Sequence, residues 1–280
     1  MRLVLYSLAI LLVLVQTAPA KTPAQTVEQA PKSYDCYRTP TPIQIDGKLD
    51  DKAWKSAPWT TDFLDITGPG GPKPRFRTRI KLLWDATYLY IAAELEEPDL
   101  KATLTQHDST IYRDNDFELF LKPPVKIDGE DAPGYFEFEI NALNTSWDLY
   151  LSKPYSAGGK PDSSWNIPGL KTAVHLNGTL NKSTDKDRGW TVEIAIPWTA
   201  YATAYATAYA SRQPAIAAPI PGSQWRANFS RVEWPIGVSS APQDQVRGQH
   251  KEDNWVWTPQ YKVNMHIPEH WGYLNFKDKH

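Results

Sequence analysis

The residues best placed to do chemistry are carboxylates and aromatics crowded into two short segments of the 280-residue chain. In YRDNDFELF, Tyr112 precedes Glu118 by six positions, and in YFEFEI, Glu137 and Glu139 alternate with Phe136 and Phe138. A flat ring can stack on the C–H face of a pyranose while a fixed carboxylate accepts hydrogen bonds from its hydroxyls. Tyr112 and Glu118 therefore form a candidate sugar-binding pair that needs no nucleophile. The plainer alternative is a loop aromatic and a solvated strand carboxylate. Two of Glu118, Glu137 and Glu139 could instead serve glycoside hydrolysis, which uses paired carboxyl groups about 5 to 9 Å apart. Alternation puts such pairs on any exposed strand, and nothing nearby in sequence signals a raised pKa, so binding without catalysis is the expectation. Asp46, Asp114, Asn115 and Asp116 are hard-oxygen donors in turn-like sequence and candidates for a cation such as calcium, although Asp46-Gly47 also reads as a tight turn. His266 and His270 flank Pro268 too irregularly for a zinc pair. Nucleophile-elbow, phosphate-loop, HExxH and dinucleotide fingerprints are missing.

Such side chains must be held by strands. In Arg75 to Trp84, Phe76, Thr78, Ile80, Leu82 and Trp84 share one face, and Arg75, Arg77, Arg79 and Lys81 make a basic outer row. Leu89, Ile91, Ala93 and Leu95 form the next inward set after a turn at Asp85-Ala86-Thr87. Phe117, Leu119 and Leu121 alternate with Asp116 and Glu118, which are expected to face outward to water, as are Glu137 and Glu139. Further strands are predicted at Trp147 to Leu151, Ala173 to Leu180, Trp190 to Ile196, Trp225 to Arg231, Trp255 to Trp257 and Gly272 to Phe276. About ten strands at this spacing predict an all-β, antiparallel β-sandwich with one or two short helices. One helix should follow Asp50 as cap. Trp54, Trp84, Trp190, Trp198, Trp225 and Trp255 are the expected core or rim aromatics. Tyr201 to Ala210 spells YATAYATAYA and, with the Pro-rich stretch to Pro221, reads as a low-complexity surface insertion over 201–221.

Residues 1–20, with Arg2, an apolar run from Leu3 to Val15 and Ala18-Pro19-Ala20, have the pattern of a secretory signal; the run is too short to span a bilayer. A secreted or periplasmic domain without a transmembrane segment is expected, running from 37 to 280 after a flexible lead-in over 21–36. The single cysteine, Cys36, has no partner for an internal disulfide, and a net charge of -2 offers no field for nucleic acid.

The chain from about Tyr37 to Phe276 resembles the family 9 carbohydrate-binding modules and their stand-alone relatives. The resemblance rests on IDGKLDDKAW (45–54), IKLLWDATYLYIAAELEEPDL (80–100), YRDNDFELFL (112–121), YFEFEINALNTSWDLYL (135–151), GWTVEIAIPW (189–198), WRANFSRVE (225–233), NWVWTP (254–259) and NMHIPEHWGYLNF (264–276). It implies a jelly-roll-like sandwich that binds oligo- or polysaccharide of xylan or glucan class, structural calcium, and glycoside hydrolases as partners. The family's first sugar-stacking tryptophan falls on Tyr112 and its carboxylate on Glu118. The second tryptophan falls near Met265, beside His266, and the family's arginine falls on Glu139. Loss of that second ring leaves open a structural or interaction module that does not bind sugar. More distant DOMON-like sandwiches hold haem through Met, His or Lys, but Met265 and His266 are adjacent, point to opposite sides of a strand and lack a C-x-x-C-H site.

Overall fold

Alternation along the chain becomes strand after strand in the computed structural model, which describes residues 28–208, 218–235 and 252–278. The signal expected over 1–20 lies outside them. The strands are β1 (Ser33–Arg38), β2 (Leu64–Asp65), β3 (Thr78–Trp84), β4 (Tyr88–Glu96), β5 (Asp116–Lys122), β6 (Lys126–Ile127), β7 (Glu130–Asp131) and β8 (Tyr135–Asn141). There follow β9 (Ser146–Leu151), β10 (Pro161–Asp162), β11 (Lys171–Asn177), β12 (Gly189–Pro197), a helix α1 (Trp198–Ala208), β13 (Gln224–Glu233), β14 (Asp253–Val256) and β15 (Gly272–Lys277). Hydrogen bonding orders them β10-β9-β8-β5-β13-β15-β1-β3-β4-β12-β11, with β14 pairing β13 and β2, and β6 with β7 apart. Neighbours are antiparallel except at β1, which runs parallel to both β15 and β3.

The sheet curls until its two halves meet as a sandwich. Phe117, Leu119 and Leu121 of β5 and Phe136, Phe138 and Ile140 of β8 share one core with Ile80 and Leu82 of β3, Ile91 of β4 and Val192 and Ile194 of β12. Each such side chain contributes about 1.5 to 3 kcal/mol by leaving water. All six expected tryptophans are buried, none more than 4% exposed. The turn at Asp85 forms as predicted, its Oδ1 accepting from the Thr87 and Tyr88 amides at 2.7 Å each. Arg77 and Arg79 pair with Glu94 at 2.6 and 3.0 Å on the outer row, whereas Lys81 is buried with Nζ donating to Trp54 O at 3.1 Å.

Several expectations need correction. The lead-in ends earlier than 36: β1 starts at Ser33 and inserts Tyr34 and Cys36 into the core, an alternation too brief to stand out in sequence. Asp50 is not a helix cap. The short turn of 3-10 helix is Lys52–Ser56, and Asp51 ahead of it uses Oδ2 to accept from the Gln44 amide at 2.8 Å. The repeat opens in the core rather than as a surface excursion: α1 buries Tyr201 and Ala204, three apart. The Tyr201 ring centroid lies 4.7 Å from that of Phe136 and 5.7 Å from that of Trp225. Residues 209–217 fall outside the described residues.

Candidate functional site

With Phe117, Leu119, Phe136 and Phe138 pointing into the core, the alternate residues of β5 and β8 face the opposite side. Strand register then decides what meets there. Glu118 stands across from Glu139 and Phe120 from Glu137; Ser230 of β13 flanks Glu118, and Trp147 of β9 flanks Glu139. One row across the sheet therefore reads Ser230, Glu118, Glu139, Trp147. The carboxylates do not project into open water as alternation suggested. Asp116, Glu118, Glu137 and Glu139 are 0%, 5%, 5% and 1% exposed, since loops from neighbouring strands roof this face. What remains is a cleft of about 470 Å³ with Glu118, Glu137 and Glu139 on its floor and Tyr112, Trp147, Tyr155, Met265 and His266 among its walls.

The walls are tied to the floor. The Tyr112 amide donates to Glu139 Oε2 at 2.9 Å, and the Tyr112 carbonyl accepts from Trp234 Nε1 at 3.0 Å. Ser230 Oγ donates to Glu118 Oε2, and the Val232 amide donates to Asp116 Oδ1 at 2.9 Å. Beneath the opposite wall, Phe120, Tyr135 and Trp271 pack with Met265, whose carbonyl accepts from Trp271 Nε1 at 2.8 Å. His266 Nδ1 shares a hydrogen bond with the Tyr135 hydroxyl at 2.9 Å, and burial pushes its pKa down to about 4, so at neutral pH the ring is uncharged.

Electrostatically the floor is costly. Burial pushes the Glu118 carboxyl up to about 7, with the Ser230 hydroxyl pulling it back. Asp116, Glu137 and Glu139 are driven well above the usual carboxylate range by desolvation first and by neighbouring negative charge second. The buried guanidinium of Arg231, on the neighbouring strand β13, is committed to Glu97 at 2.7 Å and Glu233 at 2.6 Å. Among the described residues, no lysine or arginine lines the cleft.

All five residues singled out for binding, Tyr112, Glu118, Glu139, Met265 and His266, line this one cleft. The cation candidates separate. Asp46 lies on the other half of the sandwich, its amide on Glu193 of β12 and its Oδ1 accepting from the Lys48 amide at 2.9 Å. Asp114 already accepts from the Thr103 amide and hydroxyl, the Leu104 amide and Asn141 Nδ2, which makes it a brace for the YRDND segment. Only Asp116 joins the floor, where it, Glu118 and Glu139 bring carboxylate oxygens within 4.8 Å of one another. Sequence reasoning missed two cleft aromatics. Trp147 was legible, because a β8–β9 hairpin sets its face beside Glu139. Tyr155 sits on an irregular turn with its ring 4.5 Å from that of His266, and no sequence pattern marks it.

Residues 45–279 match the family described as carbohydrate family 9 binding domain-like. Endo-1,4-beta-xylanase C of Paenibacillus barcinonensis is 38% identical over 161 residues, which is 58% of this chain but 12% of that protein. Exoglucanase XynX of Acetivibrio thermocellus is 27% identical over 160 residues, 57% of this chain and again 12% of the relative. The chain thus corresponds to a small part of each of these relatives. A family 9 carbohydrate-binding module from Caldicellulosiruptor kristjanssonii, solved with cellotriose, has a TM-score of 0.54 at 17% identity, covering 89% of this chain and 95% of its own. A structure of a module from the same organism with glucose has a TM-score of 0.53 at 18% identity, covering 89% and 97%. At such identities the likeness establishes the shared all-β fold. With the family match extending over 45–279, this chain belongs to the carbohydrate family 9 binding domain-like family.

Proposed function

We propose that this chain is a non-catalytic domain that binds an oligosaccharide or a polysaccharide segment of glucan or xylan class in the cleft over β5, β8 and β9. The observation that carries the reading is the convergence of Tyr112, Trp147 and Tyr155 around the Glu118–Glu139 row. Rings supply faces for a pyranose, and buried carboxyl oxygens supply fixed acceptors for its hydroxyls. Met265 gives no second stacking ring where the family has one; Tyr155 with His266 offers an aromatic edge in the same wall. The solved relatives carry cellotriose and glucose, and the sequence relatives are named for xylan and glucan hydrolysis, which supports the substrate class. Because the likeness covers 12% of each of those enzymes, the reading assigns catalysis to partner glycoside hydrolases. The signal-like segment at 1–20 supports export.

A second reading, an interaction module that has lost sugar binding, is favoured by Met265 in place of the second ring and by Glu139 in place of the family's arginine. Calorimetry with cellotriose and xylotriose separates the two. Tyr112→Ala should weaken binding about tenfold, the equivalent of about 1.4 kcal/mol, with unchanged melting temperature. A folded protein that binds neither sugar nor any member of a glycan array refutes the first reading.

A further inference from the structure

Four buried acids with no base among them pose a charge problem in the cleft floor. Asp116, Glu118 and Glu139 each bring a carboxylate oxygen within 4.8 Å of the others, and Glu137 faces the same cleft from β8. Hydrogen bonds do not resolve it. Glu118 accepts from Ser230 and Glu139 from the Tyr112 amide, but Asp116 Oδ2 and Glu137 Oε2, on side chains almost wholly removed from water, accept from no donor. As anions, buried carboxylates in this state are strongly unfavourable, and they are relieved either by taking up protons or by a counter-charge that holds them ionised. The other close acidic cluster among the described residues contains its own base: His107 Nε2 lies 3.3 Å from Asp108 and 3.4 Å from Asp148. Among the described residues the cleft floor has no such partner, and its open side gives an ion a way in.

We propose that Asp116, Glu118 and Glu139 hold a divalent cation of the calcium class at the floor of the cleft, with Glu137 as the adjacent acceptor. An all-oxygen, anionic donor set selects hard cations over zinc or copper, which prefer nitrogen and sulfur. Three strand-borne carboxylates fall short of the roughly six to eight oxygens calcium takes, so water fills the cleft-facing positions. Resting on the saccharide reading above, vicinal hydroxyls of a bound sugar replace that water, and retention becomes cation-dependent.

The test uses the full chain stripped with a chelator and titrated with terbium, then competed with calcium. Trp147, cross-strand from Glu139, is placed to sensitise the emission. Saturable, calcium-reversible emission is expected, with affinity at least tenfold weaker in Glu139→Gln and in Asp116→Asn, dimmer in Trp147→Phe, and unchanged in His107→Ala. Melting curves confirm that each variant folds. Unsaturable emission, or equal affinity in wild type and both carboxylate variants, overturns the cation site. Cellotriose calorimetry with chelator or calcium then isolates the second step: loss in chelator and recovery in calcium supports it, and equal binding in both overturns it while leaving the saccharide reading intact. Cation binding with no sugar bound under any condition supports the ion site and removes the saccharide reading instead.

Discussion

Replacing Tyr201 by alanine should destabilise the domain far more than its place in a low-complexity repeat suggests. The ring is buried between Phe136 and Trp225, with centroids 4.7 and 5.7 Å away, and it pins α1 to the sandwich. Truncating a buried aromatic to alanine costs about 3 to 5 kcal/mol. A domain of this size loses about 2 to 4 °C of melting temperature per kcal/mol, which gives a fall of about 6 to 20 °C. The Tyr201 hydroxyl is buried with no hydrogen-bond partner among the described residues, so Tyr201→Phe discards a desolvated polar group and should be neutral or stabilising by up to about 1 kcal/mol. Thermal melts by circular dichroism, with urea titrations for the free energies, read both variants. An alanine variant melting within about 2 °C of wild type would refute the packing role of the repeat, because that is less than the loss for a single kcal/mol. A phenylalanine variant that falls nearly as far as alanine would show instead that the hydroxyl, not the ring, is what matters.

Arg231→Met should cost about 3 to 5 kcal/mol, because it leaves Glu97 and Glu233 buried and uncompensated; urea unfolding that shows a loss below about 1 kcal/mol would contradict this. Gly47→Ala should cost more than about 1 kcal/mol, since φ there is +84° and a Cβ would stand 2.6 Å from Val174 C; an unchanged urea midpoint would mean the turn relaxes freely. His266 has its pKa lowered from 6.5 to about 4, so the native state binds its proton less readily than the unfolded chain. Its contribution is complete above pH 6.5 and is lost as pH falls toward 4. The stability difference between wild type and His266→Gln should therefore narrow across that interval, and a constant difference would place the imidazole in water.

Period two made the strands legible wherever one face meets the core and the other does not: Phe117, Leu119 and Leu121 against Asp116 and Glu118 is the cleanest case. The same pattern misled about Asp116, Glu118, Glu137 and Glu139. Alternation reports which side of a sheet a residue faces, but not whether loops from distant parts of the chain cover that side. Tyr112 and Glu118 were legible as a ring and a carboxylate in one motif, and Glu139, Met265 and His266 followed from the family resemblance, whereas the shared cleft depends on register between strands far apart in sequence. Tyr201 failed for a different reason. Its local composition matches a linker, and only the distant partners Phe136 and Trp225 turn the segment into core.

The parallel pairing of β1 with β15 has a mechanical consequence. Ser33 aligns with Tyr273 and Tyr37 with Lys277, so the two strands lie side by side and point the same way. Tension applied between Ser33 and Lys277 would load their backbone bonds together in shear rather than peeling them open one at a time. During synthesis, β1 must wait for the last strand of the chain before its longer edge is zipped, so closure of the sandwich is a late event.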